Sequence, residues 1–262
     1  METRRIALLL EYEGTRFAGS QFQKNARTVQ SVLEAAIQAV TSESPRAAFA
    51  GRTDSGVHAR GQVASFVTSA GHSPEVFVRA FNYYLPEDVS VRAASEVPLG
   101  FDVRRRAIRR HYRYRIQENG PRPVLERHFV WHVTGVLDVP AMRQAAAYLV
   151  GQHDFAAFTQ PSAGATQSTT RRVYAAHLLR QGGLLLLDIE GSAFLPQQVR
   201  RTAGALAQVG RGRLSPGDFQ QLVERATAGA ASLVAPPQGL CLMTVQYQEE
   251  LFEYEKREDI YP

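Results

Sequence analysis

The octapeptide Gly51-Arg52-Thr53-Asp54-Ser55-Gly56-Val57-His58 sets an arginine, an aspartate and a histidine in one glycine-framed stretch. Glycine tolerates tight turns and lets a backbone approach a ligand closely. A carboxylate on such a loop can act as a nucleophile or a general base. A cation two residues away, here Arg52, would keep it ionised. The same residues also suit an Asx turn, in which Asp54 bonds its own loop. Taken alone, the local chemistry favours the turn, because small polar turns far outnumber active sites.

A second stretch, Arg104 to Arg115, holds seven arginines together with Tyr112 and Tyr114. If residues 109–116 are extended, Arg109, His111, Arg113 and Arg115 share one face, and Arg110, Tyr112, Tyr114 and Ile116 share the other. Aromatic rings stack on unpaired bases and arginines hold phosphates. The plainer reading buries the tyrosines in a core: it is preferred for Tyr114 and evenly balanced for Tyr112. A third stretch, Phe194 to Gly204, places Val199, Ala203 and Leu206 on a core-facing helix side. Arg200 and Arg201 then point to different sides, and one of them can reach a carboxylate. The seven histidines are scattered and form no zinc-type cluster. No phosphate-binding glycine loop follows a strand.

The elements that must position these residues follow from periodicity. RIALLLEYEG reads as a buried strand, Thr28 as the cap of a helix over VQSVLEAAIQAV, and Ala47–Ala50 as a short strand entering the octapeptide. GQVASFVT alternates as a strand, Pro74 opens a helix that ends before Pro86, and 89–97 is another strand. That order matches a split βαβ, ferredoxin-like unit. The second half repeats the rhythm: a strand at HYRYRIQ, another at 128–133, and a helix from Pro140. A hairpin around Gly182-Gly183 follows, then helices after Pro196 and Ser215, and a closing strand at 239–247. The expected fold is α+β: two similar ferredoxin/RRM-like halves joined into one mixed, mainly antiparallel sheet flanked by helices. The expected divisions are residues 1–105, 106–250 and a charged tail at 251–262.

Composition bounds the class. A net charge of +5 comes almost wholly from arginine, since Lys24 and Lys256 are the only lysines. Arginine suits phosphate, although a GC-rich genome produces the same bias. The hydrophobic fraction of 44% supports a packed core. The single cysteine, Cys241, lies in an apolar run and reads as core in a reducing cytoplasm. No apolar stretch is long enough to cross a membrane.

Together these motifs resemble the tRNA pseudouridine synthase A family over almost the whole chain. GRTDSGVH resembles its GRTDAGVH signature, with Ser55 in the alanine position. EYEGTRFAGSQFQ resembles its opening, with Ser20 in place of a bulky aromatic. Arg110-His111-Tyr112-Arg113-Tyr114 resembles Arg-x-Tyr-x-Tyr, and Gly151-Gln152-His153-Asp154-Phe155 resembles Gly-x-His-Asp-Phe. Phe194 to Arg200 resembles Phe-Leu-x-x-Met-Val-Arg, with Gln198 for methionine. Ala235-Pro236-Pro237-Gln238-Gly239-Leu240 resembles the last motif.

The resemblance implies the pseudouridine synthase fold and isomerisation of uridine to pseudouridine in the tRNA anticodon stem-loop, at positions 38, 39 and 40. It implies Asp54 as the catalytic carboxylate, Tyr112 packing on the target uracil, and Arg200 pairing with the carboxylate. It also implies Leu240 lining the uracil pocket and Arg52 helping to displace the base. No cofactor or metal is implied; a homodimer is. Two rivals stand beside it. One is a non-catalytic RNA-binding protein. The other is a carboxylate glycosidase, which needs a second carboxylate, and only Asp154 and Asp188 offer themselves.

Overall fold

The structure is a computed structural model that describes residues 2–160 and 168–252. Most of the expected charged tail, 253–262, lies outside the described residues. The chain forms two compact units. The first contains β1 (Arg4–Tyr12), α1 (Val29–Thr41), β2 (Ala48–Phe49), β3 (His58–Thr68), α2 (Pro74–Tyr84) and β4 (Val89–Val97). This is the strand–helix–strand–strand–helix–strand order read from the sequence. β1 pairs antiparallel with β3 on one side and β4 on the other, and β2 adds to β3.

β1 is apolar on both faces because both are covered. On one, Ile6, Leu8 and Leu10 are fully buried with Phe66, Phe77 and Phe81. The three rings meet at centroid distances of 5.8, 5.7 and 5.4 Å, which places α2 on that face. On the other, Ala7 and Leu9 pack with Val63, Ala93, Val97, Val103 and Phe252. The helix starts are set by local chemistry. Thr28 and Ser31 form a reciprocal capping box, and Ser73 caps α2 one residue before Pro74.

The second unit contains β5 (Arg109–Glu118), β6 (Trp131–Val133), α3 (Val139–Ala147), β7 (Gly151–Asp154), β8 (Thr170–Gln181), β9 (Leu184–Gly191), α4 (Gln198–Gly210) and α5 (Pro216–Arg225). β5, β9, β8 and β7 are antiparallel neighbours in that order, and β6 runs parallel to β5. The expected hairpin is present as β8–β9 across Gly182-Gly183. β7 was not anticipated: four residues, half of them exposed, carry too little alternation to read as a strand.

The last strand, β10 (Leu240–Gln246), crosses the division. The units divide after Ile108, three residues beyond the expected 105, and the described chain from Leu242 to Phe252 belongs with the first unit. The expectation had given 242–250 to the second half. The reason is packing and pairing. Val245, Tyr247 and Leu251 pack against the Ala7–Leu9 face, Ile108 N donates to Gln246 O at 2.9 Å, and Tyr247 OH donates to Val103 O at 2.8 Å. Contacts so distant in sequence leave no local signal. No helix among the described residues is long and apolar enough to cross a membrane.

The Phe66–Phe77–Phe81 cluster predicts that Phe81→Ala lowers unfolding free energy by about 3–5 kcal/mol, because a buried ring is replaced by a cavity. Urea denaturation followed by circular dichroism measures this.

Candidate active site

In the octapeptide, buried Thr53 sits between two more open residues. Thr53 is 6% exposed, whereas Arg52 is exposed and Asp54 half-buried. Thr53 is tied down by all three of its polar groups. Its N–H donates to Ser20 Oγ at 2.9 Å, its carbonyl accepts from Ser20 N at 3.1 Å, and its hydroxyl meets Tyr12 OH at 2.8 Å. Gln62, fully buried on β3, holds Gly51, two residues before Thr53. It donates to Gly51 O at 2.8 Å, accepts from Gly51 N at 3.3 Å, and also donates to Tyr12 OH at 3.3 Å. Buried polar groups that are all paired fix one geometry.

After Asp54 the chain turns through Gly56 at φ +78°, where L side chains are strained. Asp54 O accepts from Val57 N at 3.1 Å to close the turn. The carbonyl of buried Phe17 accepts from Gly56 N and Ser55 Oγ, both at 3.2 Å. His58 Nδ1 accepts from Gly14 N at 3.0 Å, so its ring proton resides on Nε2 in that bond. A Cβ on Gly14 would come within 2.0 Å of Val57 O, so only glycine lets the Gly14–Arg16 turn lie against the loop. The octapeptide therefore contains a turn, closed by the Asp54 backbone carbonyl, and is also a clamped platform for Arg52 and Asp54.

The other three predicted residues lie in the second unit. β5 is extended as expected, with Tyr112 opposite Ile189 and Tyr114 opposite Leu187 on its apolar face. Tyr112 is 7% exposed and meets Phe194 edge to face at 5.4 Å. Tyr114 is fully buried, and its hydroxyl donates to Pro236 O at 2.6 Å. Burial pushes its pKa far up, opposed in part by the nearby Arg200 guanidinium. Arg200 Nε donates to Ala235 O at 2.9 Å, and Ala235 N donates back to Arg200 O at 3.1 Å. Arg201 turns the other way, is buried, and donates to Ala231 O at 2.8 Å. Gly239 packs on the Tyr114 ring: an added Cβ would lie 2.8 Å from it. Leu240, 5% exposed, follows. Tyr114 thus joins the strand of Tyr112, the helix of Arg200 and the segment ending in Leu240. Arg52 and Asp54 belong to the first unit.

The opposite face of β5 is less available than its arginines suggest. Arg113 donates to Asp188 at 2.9 and 3.2 Å, His111 Nε2 meets Asp188 at 2.7 Å, and Arg109 reaches Glu190 at 2.6 Å. Burial pushes the Asp188 carboxyl up, but His111 and Arg113 outweigh it and hold the pKa below the usual range. Asp154 accepts from Ala156 N at 3.0 Å and caps a short turn. Both carboxylates that a glycosidase reading would enlist are therefore engaged in structural bonds.

Sequence reasoning named Arg52 and Asp54 but missed what holds them: Tyr12, Ser20, Gln62 and Phe17. Ser20 and Gln198 were visible only as departures from the family pattern. Each makes a backbone bond. Ser20 accepts from Thr53 N, and Gln198 Oε1 accepts from Leu195 N at 2.8 Å, ahead of Arg200. Small polar residues inside otherwise apolar or aromatic motifs were the available signal.

The sequence profile described as tRNA pseudouridine synthase matches residues 9–104 and 145–248, which include Asp54, Arg200 and Leu240. The chain belongs to the tRNA pseudouridine synthase family. It is an isomerase of the tRNA-processing class. Among its relatives, tRNA pseudouridine synthase A of Citrifermentans bemidjiense is 46% identical over 248 residues, covering 94% of this chain and 99% of that protein. The protein of the same name in Roseiflexus castenholzii is 45% identical over 254 residues, covering 94% and 92%. That in Geobacter sulfurreducens is 43% identical over 244 residues, covering 93% and 100%.

The Thr53 clamp predicts that Ser20→Ala destabilises the synthase by about 1–3 kcal/mol, the cost of stranding a buried N–H. Tyr12→Phe, which removes the partner of the Thr53 hydroxyl, should combine with it non-additively because both act on Thr53. Urea unfolding of the two single variants and the double variant reads this out.

Proposed function

We propose that the synthase isomerises uridine to pseudouridine in the anticodon stem-loop of tRNA, at positions 38, 39 and 40, with Asp54 as the catalytic carboxylate. The supporting observation is the signature loop, in which Thr53 is anchored by three hydrogen bonds between exposed Arg52 and half-buried Asp54. Anchoring of this kind keeps a reacting group in place, and positioning accounts for much of the rate an enzyme gains.

The reaction breaks the bond from N1 of uracil to C1′ of ribose, turns the base, and joins C5 to C1′. C5 loses a proton and N1 acquires one, so atoms and electrons balance with no redox partner. The base must first leave the helical stack, at a cost of about a few kcal/mol. Arg52 helps displace it, and the Tyr112 ring and the Leu240 side chain receive it. Arginine contacts to phosphate offset the rest. Asp54 acts as a carboxylate on the ribose or the base, and the family resemblance gives Arg200 the role of pairing with it. An unpaired charge in a partly dry site would be costly. Tyr112 is a candidate to accept the C5 proton.

The resemblance to the family supports a homodimer, testable by light scattering. The single buried Cys241 suits the reducing cytoplasm in which we place the protein.

Tritium release from C5-labelled uridine in tRNA tests the chemistry. Asp54→Asn should lower release by about a thousandfold or more, with tRNA binding nearly unchanged. Normal turnover by this variant would remove Asp54 from the mechanism, and no release by the native protein would leave a pure RNA binder. Tyr112→Phe keeps the ring and removes the hydroxyl. Reduced release supports proton transfer by Tyr112, and unchanged release leaves it the packing role alone.

A further inference from the structure

Asp88 has no role in the chemistry above, yet its side chain is only 2% exposed. Arg27 donates to its two carboxylate oxygens at 2.8 Å each, and Arg16 donates to one of them at 3.2 Å. Arg16 also reaches Glu87 at 2.8 Å. A buried carboxylate is tolerated only when so paired. The hydrogen bonds from Arg27 hold the Asp88 pKa below its usual value against the opposing effect of burial.

A bidentate pair fixes the plane of the guanidinium as well as its position. That plane lies over Phe17, with the guanidinium carbon 4.1 Å from the ring centroid. The Arg27 carbonyl accepts from Ala18 N at 2.9 Å, so the same residue grips the chain on both sides of the Phe17 carbonyl. That carbonyl accepts from Ser55 Oγ and Gly56 N, the two residues after Asp54. An unbroken series of contacts therefore runs from Asp88 through Arg27 and Phe17 to the turn that follows Asp54.

We propose that Asp88 and Arg27 are positioning residues for Asp54, holding the Phe17 peptide that sets where the loop presents its carboxylate. The inference rests on the reading of Asp54 as the catalytic carboxylate. Displacement of a reacting group by about 1 Å can cost about a hundredfold in rate. An ion pair that served only to stabilise the fold would leave the turnover of the folded enzyme unchanged.

The test is steady-state tritium release by the full chain, with circular dichroism confirming the fold. Asp88→Asn should lower kcat by about 10- to 100-fold while KM and tRNA affinity stay within about twofold. Arg27→Lys keeps the charge but loses the fork and the guanidinium contact with the ring, and should lower kcat similarly. In a cycle with Ser55→Ala, the Asp88→Asn effect on kcat should shrink, because both act on the Phe17 carbonyl. Folded variants with native kcat, or strictly additive losses, overturn the proposal. Should Asp88→Asn fail to fold, Phe17→Leu removes the ring and keeps the carbonyl; a native kcat there also overturns it. Asp54→Asn is assayed alongside. If that variant is active, the parent reading fails; if it is inactive while Asp88→Asn turns over normally, only the positioning role fails.

Discussion

Thr53 must satisfy three polar groups inside the first unit, and this requirement shapes the loop around it. A buried N–H, carbonyl or hydroxyl without a partner costs about 1–3 kcal/mol each. The chain meets the demand with Tyr12 at the end of β1 and Ser20 in the following loop, and Gln62 on β3 braces both Tyr12 and Gly51. Because those segments belong to the sheet and its first connection, the loop takes on the rigidity of the sheet. Asp54 benefits because its neighbour carries the constraint.

The second unit solves a similar problem around Tyr114. A fully buried phenol needs an acceptor, and Pro236 supplies one. That bond brings the Ala235–Leu240 segment onto β5, and Arg200 then brackets Ala235 from α4. Tyr112, two residues along the same strand face, remains beside Phe194. The residue that organises this region is the tyrosine whose own role is structural.

Much of this was legible in the sequence where the determinants are local. Thr28, Ser73 and Ser215 announced helices because a capping side chain bonds backbone three residues away. The β5 face assignment followed from strict alternation, and the buried state of Tyr114 from the apolar company that alternation gave it. The destination of the last strand and the partners of Arg109 and Arg113 were not legible. Val245 and Tyr247 pack against residues more than a hundred positions away. Glu190 and Asp188 meet the arginines only through the β5–β9 register. Asp54 itself was ambiguous from local chemistry; the resemblance singled it out, and the clamp on Thr53 explains how a turn can also be a platform.

The alternation within the loop separates two duties along consecutive residues. Gly51 and Thr53 are engaged with the interior and Ser55 is held at its hydroxyl by the Phe17 carbonyl, whereas Arg52 is exposed. The loop is thus modular in an engineering sense. The side chain at 52 is open to randomisation in a library without dismantling the support, while 51, 53 and 55 are fixed parts of the chassis. New substrate preferences would be sought at the first position and lost at the other three.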